Sequence, residues 1–192
     1  MKKTALILAG SLLLGGCHSV IPSKKIGKFE QDKRIDTGSS FYMIQPKDGH
    51  EITFFKGERA ENKGSAKEAA GVFFNKFHKK FGSLVRSEQN FPIAQGLEEA
   101  KARGDKYLIT LDIEEWNDEF YMACTGANGS TKRDSIDISV QIYDVQTGEL
   151  LNKQRMQNAG CPTILLNIIP IGTMGPKGRF SDSLDTWFKN IK

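Results

Sequence analysis

The stretch with the clearest chemical potential is Asp36–Thr37–Gly38–Ser39–Ser40. In aspartic-type hydrolysis, an aspartate in such a loop shares a proton with a second aspartate, and the pair activates water. The chain holds one copy of the loop, so a complete pair would need a dimer. Helical patterns follow where a protease lobe would have strands, so hydrolysis through Asp36 stands as the alternative reading, not the leading one. Other groups are less organised. His18, His50 and His78 are scattered, without the spacing of a His/Cys metal site. Cys124 and Cys161 form no C-x-x-C pair, which argues against redox catalysis. Gly172, Gly175 and Gly178 are followed by no G-K-[ST], so they make no phosphate loop. Glu114–Glu115 and Asp118–Glu119 are adjacent acids, the pattern of a solvated strand end. No metal, no cofactor and no catalytic residue are expected, with Asp36 kept only for the alternative.

Cys17 has a different chemistry available to it. Lys2 and Lys3 give a short positive start, Leu6 to Leu14 form an apolar run, and Gly15, Gly16 and Cys17 follow. This is the three-part layout of a signal peptide. A spanning helix needs about 20 apolar residues, and this run breaks at Gly15. Leu14–Gly15–Gly16–Cys17 resembles the lipobox of bacterial lipoproteins, in which small residues admit the peptidase and the cysteine sulfur carries a diacylglycerol. That resemblance implies cleavage before Cys17 and a lipid bilayer held through its acyl chains. Each buried CH₂ contributes about 0.8 kcal/mol, so several chains hold where one binds marginally. In enteric-type lipoproteins an aspartate after the cysteine retains the protein at the inner membrane. His18 stands there, which implies the outer membrane, facing the periplasm.

The chain has 27 basic and 23 acidic residues, a net charge of +4. Removing the two signal lysines leaves 25 against 23, or +2. That balance does not argue for nucleic acid. The mature length suits one domain, without low-complexity tract or repeat. The expected division is 1–16 signal peptide, 17–38 lipidated cysteine and polar tether, and 39–192 a single domain. Once Cys17 is lipidated, Cys124 and Cys161 remain. An even number in an oxidising compartment implies one disulfide; the alternative is two separate thiols.

Several elements are legible in what remains. Ser40 to Gln45 is rich in strand formers and is ended by Pro46 and Asp48–Gly49. Ile52 to Phe55 is a short apolar piece. Ser65 with Glu68 three residues on reads as a capping box. Ala66, Ala69, Ala70, Phe73, Phe77 and Phe81 then form one helical stripe, stopped by Gly82. Ser83 to Ser87 is a short strand. A second helix starts near Pro92 or Gly96 and ends at Gly104. Tyr107, Ile109, Leu111 and Ile113 alternate with polar or second-face residues, as do Ile136, Ile138, Val140 and Ile142. The Gln146–Thr147–Gly148 turn leads into a strand from Glu149 to Gln157. Leu184, Trp187, Phe188 and Ile191 lie on one face of a last helix capped by Ser181 or Asp182. The predicted fold is α/β (α+β): a mixed β-sheet of about five strands with three helices, in the order β-α-β-α-β-β-β-α.

Three parts of the chain together resemble a family of bacterial lipoproteins carrying a domain of unknown function. They are the lipobox with the strand from Phe41 to Gly49, the joint Leu97–Glu98–Glu99–Ala100–Lys101–Ala102–Arg103–Gly104–Asp105–Lys106–Tyr107–Leu108, and the segment from Val140 to Leu151 containing Asp144–Val145–Gln146–Thr147–Gly148–Glu149. More distantly, the chain is similar to α/β domains of envelope lipoproteins that serve in secretion or assembly. The resemblance implies a fold and a location and supplies no catalytic residue. It implies a non-enzymatic, binding or assembly component of the cell envelope with an envelope protein partner. One apolar stretch is unusual for a soluble domain: Ile164, Leu165, Leu166, Ile168, Ile169 and Ile171. It is either a buried edge segment or an exposed loop, and if exposed it marks a partner or membrane contact.

Overall fold

The structure, a computed structural model, describes residues 23–26, 31–32, 34–52, 58–118, 134–160, 163–165, 169–171, 175–189 and 191. In chain order its elements are β1 (Ser23–Ile26), β2 (Gln31–Asp32), β3 (Phe41–Met43), β4 (His50–Ile52), β5 (Arg59–Glu61), α1 (Ser65–Phe81), β6 (Leu84–Arg86) and α2 (Ile93–Arg103). They continue with β7 (Tyr107–Asn117), β8 (Asp134–Asp144), β9 (Leu150–Gly160), β10 (Thr163–Leu165), β11 (Ile169–Ile171) and α3 (Gly175–Trp187). The expected mixed sheet and its three helices are present in the expected order.

The main sheet runs β1-β9-β8-β7-β3-β6. β3 lies between β6 and β7 and is parallel to both; α1 lies on the connection from β3 to β6, and α2 on that from β6 to β7. β7, β8 and β9 form an antiparallel meander. β4 adds to β7 at His50↔Glu115 and carries β5 beside it. β1 and β2, from the stretch between Cys17 and Gly38, pair antiparallel with β9. β10 and β11 form a separate two-stranded sheet.

Alternation along the strands divides the apolar residues between two layers. Phe41, Met43, Tyr107, Ile109, Ile138 and Val140 face α1 and α3, where Phe73, Phe77, Phe180, Leu184 and Trp187 are buried. Tyr42, Ile44 and Leu108 face the other way, against Ala100 of α2 and Val145. Rings meet edge-on where α1 crosses β3, with Phe41 and Phe77 centroids 4.8 Å apart. Edge-to-face geometry of this kind contributes about 0.5–1.5 kcal/mol beyond area burial.

Two local readings change. Ser65 is not a capping-box residue: α1 starts after Gly64, which adopts φ +95°, and no side chain of its own caps it. Asp48, in the connection between β3 and β4, does so, its Oδ1 accepting from the N–H groups of Gly64 (3.1 Å) and Ala66 (2.7 Å). Ser65 Oγ accepts instead from Gly49 N–H at 2.8 Å. Glu68 turns to Trp116 Nε1–H and Lys177. α3 begins at Gly175, ahead of Ser181, because Pro176, Arg179 and Phe180 extend its buried stripe by more than a turn.

Candidate functional site

Asp36 sits in the turn between β2 and β3. Its Oδ1 accepts from Gly38 N–H (3.1 Å), and its Oδ2 from Ser39 Oγ–H (2.8 Å) and Lys106 Nζ (3.2 Å). Its own N–H donates to Tyr107 Oη at 3.1 Å. This is an Asx turn, the arrangement by which a short acid closes a loop on its own backbone. The Ser39 hydroxyl, the Gly38 amide and the Lys106 ammonium together hold the Asp36 carboxyl below its ordinary range. A proton-sharing aspartate needs the opposite environment, a second carboxylate that raises one of the two pKa values. The geometry therefore makes Asp36 a clamp tying the entry to β3 onto Lys106 and Tyr107.

The second concave region lies where β4 and β5 meet the meander. It is a cleft of about 400 Å³ lined by His50, Glu51, Arg59, Glu114, Glu115, Asp137 and Arg155. A bulge in β7 builds it. The register shifts between Ile113 and Glu115, leaving Glu114 as the extra residue, and a bulge re-aims its side chain. Arg59 binds that residue twice, at the carbonyl (2.9 Å) and the carboxylate (2.7 Å). Glu115 accepts from Ser135 Oγ–H. The adjacent acids are thus a bulged junction within a long strand.

Asp137 is the most tightly held group in this cleft. Arg155 donates to it from Nε (2.8 Å) and Nη2 (2.6 Å), and Gln157 Nε2 donates at 2.8 Å. Burial pushes the Asp137 pKa up, but the Arg155 and Gln157 hydrogen bonds and the charges of Arg155 and Arg59 outweigh it and leave the carboxyl below its ordinary range. His50 Nδ1 is buried and has no hydrogen-bond partner among the described residues. With four carboxylates against two guanidinium groups, the cleft is polar and mildly acidic. Arg59 holds Glu114 and Arg155 holds Asp137, so what the cleft can offer chemically is hydrogen bonding and not a free acid–base pair. Among the described residues no group of three metal-binding side chains stands together.

A third polar cluster is hidden under α3. The inward row of β9 is Asn152, Gln154, Met156 and Asn158, where an apolar row would be ordinary. Asn158 Nδ2 donates to the Arg179 carbonyl (3.1 Å) and to Ser183 Oγ (3.2 Å). Arg179 is buried, with its guanidinium 4.0 Å from the Asp134 carboxylate. Burial lowers the Arg179 pKa, and the charges of Asp134 and Asp182 oppose that. Gly160 makes room for this side chain: a Cβ there would lie 2.7 Å from Arg179 Nη1. Nothing in the sequence singled out this cluster. An arginine at an i, i+4 position from Ser183 and one short of Phe180 is the signal that was available.

Of the other residues weighed in the sequence, His78 stacks on Phe74 along α1, with centroids 5.6 Å apart. Gly175 and Gly178 lie in α3. Ile164 and Leu165 belong to β10, and Ile169 and Ile171 to β11. Cys17, Cys124, Cys161, His18, Leu166, Ile168 and Gly172 lie outside the described residues. No described helix is long and apolar enough to cross a membrane.

No protein-family profile matches the chain, and no curated protein does. Solved structures do. A point variant of the PelC dodecamer from Paraburkholderia phytofirmans superposes with a TM-score of 0.58 at 11% identity, covering 84% of this chain and 96% of that one. The PelC dodecamer from the same organism in another crystal form gives 0.57 at 11% identity with the same coverage. At that identity the likeness is one of fold alone. Lipoprotein GNA1162 from Neisseria meningitidis overlaps more loosely, with a TM-score of 0.47 at 6% identity over 79% of this chain and 99% of that one.

Proposed function

We propose that this chain is a lipid-anchored, periplasm-facing outer-membrane lipoprotein whose domain binds or assembles with other envelope components and performs no catalysis. The observation that carries the reading is Cys17, placed directly after an apolar run and two glycines. His18, standing where an inner-membrane aspartate would, supports the outer membrane. The fold supports assembly, since PelC, with a similar fold over most of both chains, is a dodecamer. The Asp36 geometry speaks against the hydrolytic alternative, because a carboxylate clamped by Lys106 and Ser39 is a poor proton acceptor at a shared site.

Expression of wild-type and Cys17→Ser chains in cells fed a fatty-acid probe tests the anchor. Label on the wild type in the outer-membrane fraction, and none on the variant, is the expected result. Label retained by the variant would sink the anchor assignment. Native mass spectrometry of the detergent-extracted lipoprotein tests assembly. A monomer without bound partner at every concentration would count against it.

A further inference from the structure

The C-terminal ends of α1 and α3 come together. Phe188, just past α3, packs edge-on against Phe81, the last residue of α1, with ring centroids 5.3 Å apart. One turn earlier an ion pair joins the two helices, Lys76 Nζ donating to the Asp185 oxygens at 2.7 and 2.6 Å. Residues four apart share a helix face, so the next pair along this seam is Lys80 and Lys189. Backbone bonds from Phe188 N–H to the Leu184 carbonyl and from Ile191 N–H to the Trp187 carbonyl carry the helical turn past Lys189. A second acid would continue the ladder; a second lysine stands there instead.

Lys79, Lys80 and Lys189 are all exposed. The two segments bring no acid of their own: none lies between Glu68 and Glu88, and none follows Asp185. Lys80 Nζ is 5.7 Å from the Phe81 ring centroid, so an aromatic face supports its stem while the ammonium stays in water. Helix C-termini favour cations, and two of them together present about one negative charge, half from each. Three full positive charges exceed that. This end of the helix layer therefore keeps a positive surplus that attracts anions.

Register fixes where this end lies. α1 leads through Gly82 into β6, whose Leu84 aligns with Phe41, Tyr107 and Asp144. The segment following Cys17 enters the sheet at the other end, where Ser23 aligns with Ala159 and Ser135. From Ser135 to Asp144 the strand rises about 30 Å. We propose that the joined ends of α1 and α3 are a docking surface for an acidic segment of a periplasmic protein partner. The proposal rests on the reading of the domain as an anchored binding module and gives that reading a surface and a partner chemistry. The bilayer that holds Cys17 is approached from the opposite end of the sheet, which favours protein carboxylates over lipid head groups. Exposed charges of this kind govern encounter rate and salt dependence.

The test uses the mature lipoprotein in phosphatidylcholine nanodiscs and a fluorescein-labelled polyglutamate peptide, read by anisotropy. One variant combines Lys79→Glu, Lys80→Glu and Lys189→Glu. The control combines Lys47→Glu, Lys63→Glu and Lys67→Glu, the same charge change on exposed lysines near the start of α1. The expected result is salt-sensitive binding to wild type, about tenfold weaker for the first variant and within about twofold for the control, the scale of several exposed ion pairs lost together. Lys79→Gln, Lys80→Gln and Lys189→Gln in one chain should weaken binding as well, which covers a charge-reversed chain that fails to fold. Equal loss in variant and control would reduce the effect to net charge and overturn the surface, as would a wild type that binds no peptide. Lysine-dependent co-sedimentation of the nanodiscs with phosphatidylglycerol vesicles, without peptide binding, would make lipid the partner and overturn a protein one. Native mass spectrometry of the extracted wild type reads separately whether the chain carries partners, so the binding-module reading stands or falls independently of this surface.

Discussion

Asp137 and Asp48 each hold one junction by a carboxylate, and each makes a prediction. The folded pKa of Asp137 lies below its unfolded value, which for a free aspartate is about 3.9. Its contribution is therefore complete above that value and is lost as pH falls through the lower, folded one. Charge-assisted hydrogen bonds contribute about 1.5–3 kcal/mol, so Asp137→Asn should melt lower than wild type at neutral pH, with the gap closing in strong acid. Thermal melts across that range check it; a gap independent of pH would show that the charge contributes nothing. Asp48 caps α1 through Gly64 and Ala66. Asp48→Ala should cost about 0.5–2 kcal/mol, as loss of an N-cap does. Urea denaturation of that variant checks it; an unchanged midpoint would show that the Asp48 carboxylate does not cap α1.

At the level of elements, the strands β7 and β8 and the stripe of α1 were plain from periodicity, because burial on one face leaves its mark every second or every third to fourth residue. Elements held by other means left weaker marks. β1 reads Ser-Lys-Lys-Ile and shows no alternation; it joins the sheet by backbone pairing with β9. β9 shows alternation of burial but not of polarity, since Asn152, Gln154 and Asn158 are buried. α3 starts early because its buried stripe includes a charged residue, Arg179, which a hydrophobic count passes over. The Asp36 loop was visible as a motif and is a turn, since short polar residues serve both purposes. The fit of β9 to α3 gives a paired test. Gly160→Ala would place its Cβ 2.7–3.1 Å from three atoms of the Arg179 guanidinium, and overpacking of this kind costs about 1–3 kcal/mol. Gly71, inside α1, has nothing within 4 Å of its added Cβ, so Gly71→Ala should stabilise by about 0.5–1 kcal/mol. Opposite signs in chemical denaturation are expected; equal effects would mean that Arg179 moves aside freely.

For the molecule as a whole, the pairing of Asp134 with Gly160 supports the Cys124–Cys161 bridge as a proposal, because both cysteines hang from segments that meet at that end. A bond there closes a loop of about 38 residues, for which chain entropy gives about 4 kcal/mol. Changing both cysteines to Ser should lower the melting temperature with little change in the secondary-structure spectrum, and alkylation before reduction should find neither thiol free. An unchanged melting temperature, or two free thiols in periplasmic material, would remove the bridge. β1 has a consequence in time as well as in space. It is the first of the described strands to be made, yet its partners Met156–Ala159 come more than a hundred residues later. Pairings of such sequence separation are slow to form. β1 must therefore wait, without its partner strand, until Met156–Ala159 have been made, so this edge of the sheet cannot form from the N-terminal part of the chain alone.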